Sequence, residues 1–504
     1  MPKIKPNHDF LGLIGIEFEE GLRLYGVAPR FWYKRYSPEV QNLEGSTVRI
    51  LRQKENIDFG NDEFAKKECM EIKKNIRRIK TNYVEQDILP VGEDIVEEET
   101  PEDAQVDSEN VEESPKMVIE LDFKSEDVLI SLFNLCEFYR RNQTEEMLVD
   151  SEFSSNSLPL FQYEKFIEKL EESTRELRRT YRSVVESVGA VRGKITTRGM
   201  MMMVARPSPR IECEFETFDI QSPIYRVMMT TLDVIRGYNL PNSFKFLDER
   251  FQMVSRRGAN LRSKLVEIPS FPIAVALREC AKLRRSLPRT FKQFEELIPL
   301  AEQILLNESE KQKEEQSEKD SPWWHITAPS SKLWELLLQK SIEYSTEYKV
   351  EVQESVEGPW KGSGQKNIDL CIQSLSDDNP GMFLVDAKYA ERKSTPSSGY
   401  QYQQFFYAVA WAAKERPLSA MALAHPASNA EEEGGKSESH DLEEYISNFI
   451  NKGQIPFKIW TIKFPQPSDL RKSNLEDYLS TTNSRLRELL EETNLVSSDV
   501  NRMT

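Results

Sequence analysis

Over the first 60 residues, β-forming apolar residues come in short runs broken by Gly and Pro: FLGLIGIEFEEGLRLYG, FWYKRY and STVRILRQ. Runs of this kind predict short strands and a small β domain. MVIELDF at Met117–Phe123 reads as a last strand of the same unit. The period then lengthens. SEDVLISLFNLCEFYRR, from Ser125, has helical apolar spacing, and LFQYEKFIEKLEESTRELRRTYRSVVESV continues as a long amphipathic helix. IYRVMMTTLDVIRGY, PIAVALRECAKLRRSL and FKQFEELIPLAEQILL add further helices, so the middle of the chain is expected to be mainly helical as far as Leu306. From Trp323 the pattern alternates. A helix (SSKLWELLLQKSIEYS) precedes three strands (YKVEVQES, NIDLCIQSL, MFLVDAKYA) and a second helix (QYQQFFYAVAWAAKE). Two more strands (LSAMALAHP, PFKIWTIKF) and a terminal helix (LEDYLSTTNSRLRELLEE) follow. This helix–β–β–β–helix–β order predicts an α/β unit on a mixed sheet.

Composition adds the boundaries. A chain of 504 residues exceeds one compact core and suggests about three domains. Gln86–Pro115 is strongly acidic and poor in aromatics, which reads as a solvated insertion, and Asn307–Asp320 is a highly charged break. Ala427–His440 reads as a surface loop. The expectation is an α+β multidomain chain: a β-rich domain over 1–125 with its acidic insertion at 86–115, a mainly helical middle domain over 126–306, a linker at 307–322 and an α/β domain over 323–504.

Charge and residue usage exclude several chemistries. A net charge of −17 argues against gripping nucleic acid by bulk electrostatics, because neutralising phosphates needs Lys and Arg. The acid is concentrated in the linkers, however, and basic residues stand out between Arg175 and Arg210, among them Arg192, Lys194 and Arg198. Five scattered cysteines without a CxxC pair speak against a disulfide framework or structural zinc, and the four histidines (8, 325, 425, 440) have no ligand partner at helical spacing. No apolar run approaches the ~20 residues that span a bilayer, and the N-terminal MPKIKPNHDF lacks the apolar stretch of a signal peptide. The expected location is the cytoplasm, away from membranes.

The candidate chemistry lies in the C-terminal third. In NIDLCI, Asp369 alternates with Ile368, Leu370 and Ile372, so it points away from them. Asp386 ends the run MFLV, and Lys388 follows two residues on, on the same face. The loop SLSDDNPG makes a hairpin of the two strands, which can bring Asp369 beside Asp386. Two carboxylates on adjacent strands suit a hard Mg²⁺ ion that retains waters, and a lysine beside them suits the charge that develops on a phosphate during hydrolysis. An acid-x-Lys triplet alone carries little, since Glu71–Lys73, Asp122–Lys124, Glu347–Lys349 and Glu391–Lys393 also occur. The setting adds weight. Glu335, on the helix before the sheet, is a candidate third carboxylate. Tyr400, Gln403, Tyr407 and Trp411 share a helix face. Tyr407 and Trp411 read as core, whereas a buried Gln403 amide needs partners and suits orienting water or contacting phosphate.

With these residues in place the chain resembles McrC, the nuclease subunit of the McrBC modification-dependent restriction systems. The likeness is clearest over about 117–465. It rests on TYRSVVESVGAVRGKITTRGM with its Arg192-Gly193-Lys194 element, on ECEFETFDIQSPIYRVMMTTL, and on Trp334–Glu335, NIDL, LVDAKY, YQQFFYA and MALAHP in that order. Ile368 stands where a proline often precedes the first aspartate, Tyr225 where Asn is frequent and Gln221 where Asp is frequent. The resemblance implies a PD-(D/E)xK (restriction-endonuclease-like) nuclease domain, with Asp369 and Asp386 as metal ligands, Lys388 as the catalytic lysine, Glu335 as a further ligand and Gln403 as the motif glutamine.

It also implies Mg²⁺, with Mn²⁺ as an alternative, and double-stranded, modified DNA as substrate. The implied partner is a hexameric AAA+ GTPase whose hydrolysis the chain stimulates and on which its N-terminal β region docks, with Arg192, Lys194 and Arg198 contacting DNA or that partner. The chain itself has no P-loop: GPWKGSGQK lacks the spacing and the following helix. Two other readings of the same residues stay open: a stand-alone DNA repair or processing nuclease of this fold, and a non-catalytic regulator of an AAA+ ring.

Overall fold

The computed structural model describes residues 3–4, 10–18, 21–32, 41–43, 46–53, 57–58, 63–85, 125–142, 158–173, 180–205, 209–219, 222–266, 268–314, 323–357, 365–375, 382–390, 398–412, 418–427, 438–441, 456–470 and 474–503. The acidic insertion 86–115 and the expected strand 117–123 lie outside them. The chain forms two compact units, one of 1–15, 20–142 and 325–504, the other of 16–19 and 143–324.

In the first unit, β1 (Lys3–Ile4) pairs with β6 (Ile57–Asp58). The strands β2 (Phe10–Phe18), β3 (Gly21–Ala28), β4 (Gln41–Leu43) and β5 (Ser46–Arg52) share a sheet with β10 (Trp323–Pro329) in the order β10-β2-β3-β5-β4. Phe31 and Trp32, expected on a strand, lie in a turn instead. That turn is fastened to the C-terminal chain: Trp32 Nε1 donates to Pro465 O at 2.8 Å and Gln466 Nε2 donates to Phe31 O at 2.9 Å. Two helices follow, α1 (Glu63–Glu85) and α2 (Ser125–Arg141). α1 is absent from the elements expected above, although Ala65, Cys69, Ile72 and Ile79 recur at helical spacing and are buried. On α2, Ser131 Oγ donates to Pro467 O and Asn134 Nδ2 to Leu470 O.

These links change the expected division. Residues 1–125 do not stand apart from 323–504, and α2 joins them rather than the middle domain. The cause is non-local: β10 completes the N-terminal sheet and leads directly into the C-terminal domain.

The second unit contains α3 (Leu160–Ser173), β7 (Thr180–Val188), β8 (Lys194–Ile195), α4 (Thr197–Ala205) and β9 (Ile211–Asp219). Four longer helices follow: α5 (Pro223–Gly237), α6 (Asp248–Lys264), α7 (Ile273–Arg285) and α8 (Leu297–Glu314). The single long helix expected over 160–188 is corrected. It ends at Ser173, and TYRSVVESV becomes a strand because it pairs antiparallel with β9 along its length. β-Branched Val and Thr suit that partner better than a helix. The charged break also begins later than expected, since α8 runs through it to Glu314. Tyr225, the departure noted above, is fully buried and meets Phe291 and Phe294 edge-on. Forked pairs from Arg250 to Glu164 and from Arg257 to Glu171 join α6 to α3.

The C-terminal part of the first unit comprises α9 (Ser330–Glu343), β11 (Tyr348–Glu357), β12 (Gln365–Ser374), β13 (Met382–Ala387), α10 (Ser398–Ala412), β14 (Ala420–Ala427), β15 (Glu438–Asp441), β16 (Pro456–Lys463) and α11 (Asn474–Met503). The sheet order is β11-β12-β13-β14-β16-β15, with β13, β14 and β16 parallel and the other neighbours antiparallel. The expected mixed sheet is present. β15 is an addition inside the segment read as a loop, where Glu438–Asp441 pairs with β16. α10 packs Phe406, Tyr407 and Trp411 on a core with Cys371, Leu384, Met421, Leu423 and Ile459. Trp334 of α9 is fully buried and donates Nε1 to Ala424 O at 3.1 Å.

Candidate functional site

The register of the central strands assembles the site. β12 and β13 pair Leu370 with Val385, and one step further puts Asp369 opposite Asp386. Directly opposed residues share a face, so the two carboxyl groups stand side by side as the hairpin pattern predicts. Asp369 Oδ2 accepts the Ala387 backbone N–H at 2.9 Å, which ties it to the strand of its neighbour. Asp386 is 1% exposed, and neither of its carboxyl oxygens accepts an aligned hydrogen bond. Lys388 Nζ lies 2.7 Å from its Oδ2, and the Asp369 carboxyl stands beside it.

Lys388 lies just beyond β13, held by its own N–H to Ala424 O at 2.9 Å. Its ammonium donates to Gln403 Oε1 at 3.1 Å and sits 5.1 Å from the centre of the Tyr400 ring. Gln403 Nε2 then donates to the Tyr407 hydroxyl at 2.7 Å, and that hydroxyl donates to Asn367 O at 2.7 Å. The Lys388 ammonium thus spans two acceptors, Asp386 Oδ2 and Gln403 Oε1. Gln403 therefore aims Lys388, and the hydroxyl of Tyr407, read from sequence as core packing, orients Gln403 as well as filling the core.

Glu335 reaches the same region from α9. Lys332 Nζ lies 2.8 Å from its Oε2, and Gln353 Nε2 donates to the same oxygen at 2.9 Å and to Asp369 Oδ1 at 3.3 Å. Lys332 and Gln353 were not singled out from sequence. Lys332 is legible as an i,i+3 partner of Glu335, but nothing in YKVEVQES marks Gln353. Among the described residues no three or more His, Cys, Asp or Glu side chains converge as a metal cluster. Glu335 is joined to Asp369 through an amide rather than gathered with both aspartates.

Burial dominates the electrostatics. It raises the Asp386 carboxyl to about 7, with Lys388 opposing and Asp369 adding to the rise. Glu335 is likewise raised to about 7 by burial, then by Asp369, against Lys332. An unfolded aspartate titrates near 4. Between about 4 and about 7 the folded state thus holds more protons, so the cation-free chain loses stability as pH rises through that window. Asp386→Asn removes the Asp386 share of this loss. In chelator, the variant's urea midpoint is expected to fall less between pH 5 and pH 8 than the wild type's, and to exceed it at pH 8. Parallel curves would show that Asp386 carries no such penalty.

The donor set fits a hard divalent cation. A buried carboxylate with no aligned hydrogen bond among the described residues and only a lysine ammonium and a second carboxylate close by is the arrangement such an ion satisfies. Asp369 and Asp386 would hold it. Two of the four histidines are engaged elsewhere: His325 Nδ1 lies 3.2 Å from Thr327 Oγ1 and His425 Nδ1 lies 3.0 Å from Ala390 O. All five cysteines are buried thiols outside any disulfide.

The basic element lies in the second unit. Arg192, Lys194 and Arg198 are exposed, and Arg192 stacks 4.4 Å over the Phe215 ring. Gly193 between them has φ +69°, and a Cβ there would meet Glu214 O at 2.4 Å, so the turn needs glycine. α4 exposes Met200, Met201, Met202, Met203 and Val204 in succession.

No helix among the described residues is long and apolar enough to cross a membrane. No curated protein matches the chain. Among solved structures it is similar to a refined half-complex from a tetradecameric assembly of Thermococcus gammatolerans McrB AAA+ hexamers with bound McrC, at 12% identity over 71% of this chain and 76% of that one, with a TM-score of 0.37. A cryo-EM structure of the Thermococcus gammatolerans McrBC complex matches at 11% identity over 42% of this chain and 57% of that one, with a TM-score of 0.23. The family model described as McrBC 5-methylcytosine restriction system component matches residues 103–419, a span that includes Glu335, Asp369, Asp386, Lys388 and Gln403. The chain belongs to the McrBC family.

Proposed function

We propose that this chain is the DNA-cleaving subunit of a McrBC-type restriction complex, with a nuclease domain of the PD-(D/E)xK kind acting with an AAA+ GTPase partner. The observation that carries the reading is the juxtaposition of Asp369 and Asp386 across β12 and β13 with Lys388 Nζ 2.7 Å from Asp386 Oδ2. When bound by the two aspartates, Mg²⁺, or Mn²⁺ in its place, polarises a phosphodiester and eases deprotonation of water. In hydrolysis the water oxygen bonds to phosphorus as the bond to the leaving sugar oxygen breaks. The Lys388 ammonium, directed by Gln403, offsets the negative charge that builds on the phosphate oxygens.

The net charge of −17 makes a nucleic-acid-gripping partner a natural complement. The exposed apolar run on α4, beside Arg192, Lys194 and Arg198, suits a protein surface better than DNA alone. Modified double-stranded DNA is the expected substrate.

The test is cleavage of methylated plasmid by the chain with its AAA+ partner and GTP. Activity is expected to vanish in EDTA and return with excess Mg²⁺. Cleavage without partner would favour a stand-alone nuclease, and stimulated GTP hydrolysis with no cleavage under any cation would identify a regulator.

A further inference from the structure

Gln353 is the only non-glycine residue with positive φ among the described residues, at +52°. It lies inside β11, where extended backbone is the rule and a left-handed residue is costly. The ladder to β12 pairs Val352 with Leu370 and Glu354 with Ile368, leaving Gln353 opposite Asp369. From there its amide nitrogen reaches both Glu335 Oε2, at 2.9 Å, and Asp369 Oδ1, at 3.3 Å. Asp369 is thereby held at both oxygens, by Ala387 N–H on one side and Gln353 on the other. A strained conformation persists only where its surroundings over-determine it. Here the strain coincides with one amide joining two carboxylates that would otherwise repel.

We propose that Gln353 is a positioning residue for the cation site: its left-handed backbone turns the amide onto Asp369 and Glu335 and fixes Asp369 beside Asp386. This rests on the nuclease reading above. Groups that orient metal ligands in this way typically govern affinity by 10- to 100-fold.

Two variants separate positioning from structure. Glycine takes φ of +52° without steric cost, so Gln353→Gly relieves the backbone while removing the amide. Asparagine also tolerates that conformation but is one methylene shorter. Mn²⁺ binding to the purified full-length chain, read by the loss of free-ion EPR signal, is measured alongside thermal melting. The expected result is a melting temperature at or above the wild type's with Mn²⁺ affinity at least tenfold weaker in Q353G, and intermediate affinity in Q353N. Unchanged affinity in Q353G overturns the proposal, as does a loss of affinity that only tracks a fall in melting temperature. Should the wild type itself show no Mn²⁺ binding that Asp386→Asn abolishes, the nuclease reading fails and the positioning role falls with it.

Discussion

Replacing Asp386 or Lys388 by Ala is expected, on the proposed function, to lower Mg²⁺-dependent DNA cleavage at least about a thousandfold while leaving the chain folded and the proposed stimulation of a GTPase partner intact. The two losses have different causes. Asp386→Ala removes a carboxylate whose burial opposes its charge, and Lys388 keeps Gln403 Oε1 as an acceptor, so the cation loses a ligand and the fold loses little. Lys388→Ala removes the charge facing the phosphate and the ion-pair partner of a buried acid. Asp386 then holds its proton more tightly, so cation affinity falls as well. Lys388→Arg is not a rescue. A planar guanidinium fork would have to satisfy Asp386 Oδ2 and Gln403 Oε1 together, which the single ammonium does from one point. Cleavage and GTP hydrolysis measured on the same preparations check this. Retained cleavage in both alanine variants would remove the site from consideration.

Gly12→Val is expected to cost about 3 kcal/mol of stability or more and to lower cleavage without touching the site. Gly12 has φ +139°, and a Cβ there would lie 2.2 Å from Ile326 O and 2.7 Å from Thr327 Cα. Both contacts are backbone atoms of β10, so no rotamer change relieves them. β10 runs into α9, which carries Glu335, and the buried Gln53 amide holds that junction by donating to Ser330 Oγ at 3.0 Å. Gln53 Oε1 also accepts the Tyr389 hydroxyl at 3.0 Å, next to Lys388. Pushing β2 from β10 therefore displaces both sides of the site. Urea denaturation gives the stability loss, and Mn²⁺ affinity gives the displacement. A variant as stable as the wild type would show that the two strands separate freely.

Much of the C-terminal domain is legible because its signals are local. In NIDLCI and MFLVDAK the alternation sets which face each residue takes, and the short hairpin loop leaves one pairing that buries Ile368, Leu370 and Val385. Once that pairing forms, Asp369 and Asp386 must meet. Gln403 is legible for a similar reason, since four residues along α10 bring it to Tyr407.

The failures share a cause. TYRSVVESV carries enough apolar residues for a helix, and its strand exists because β9, some 30 residues on, pairs with it. Residues 1–125 look separable by composition, yet β10 joins their sheet from beyond residue 320. Gln353 is unremarkable in sequence, and its reversed φ and two carboxylate partners arise only when α9, β11 and β12 come together. Local patterning thus specified the three central residues Asp369, Asp386 and Lys388, because strand alternation and hairpin closure act over a few residues. Which groups hold them, and which part of the chain their domain is built on, was decided by long-range pairing, whose energy lies in partners no local window contains.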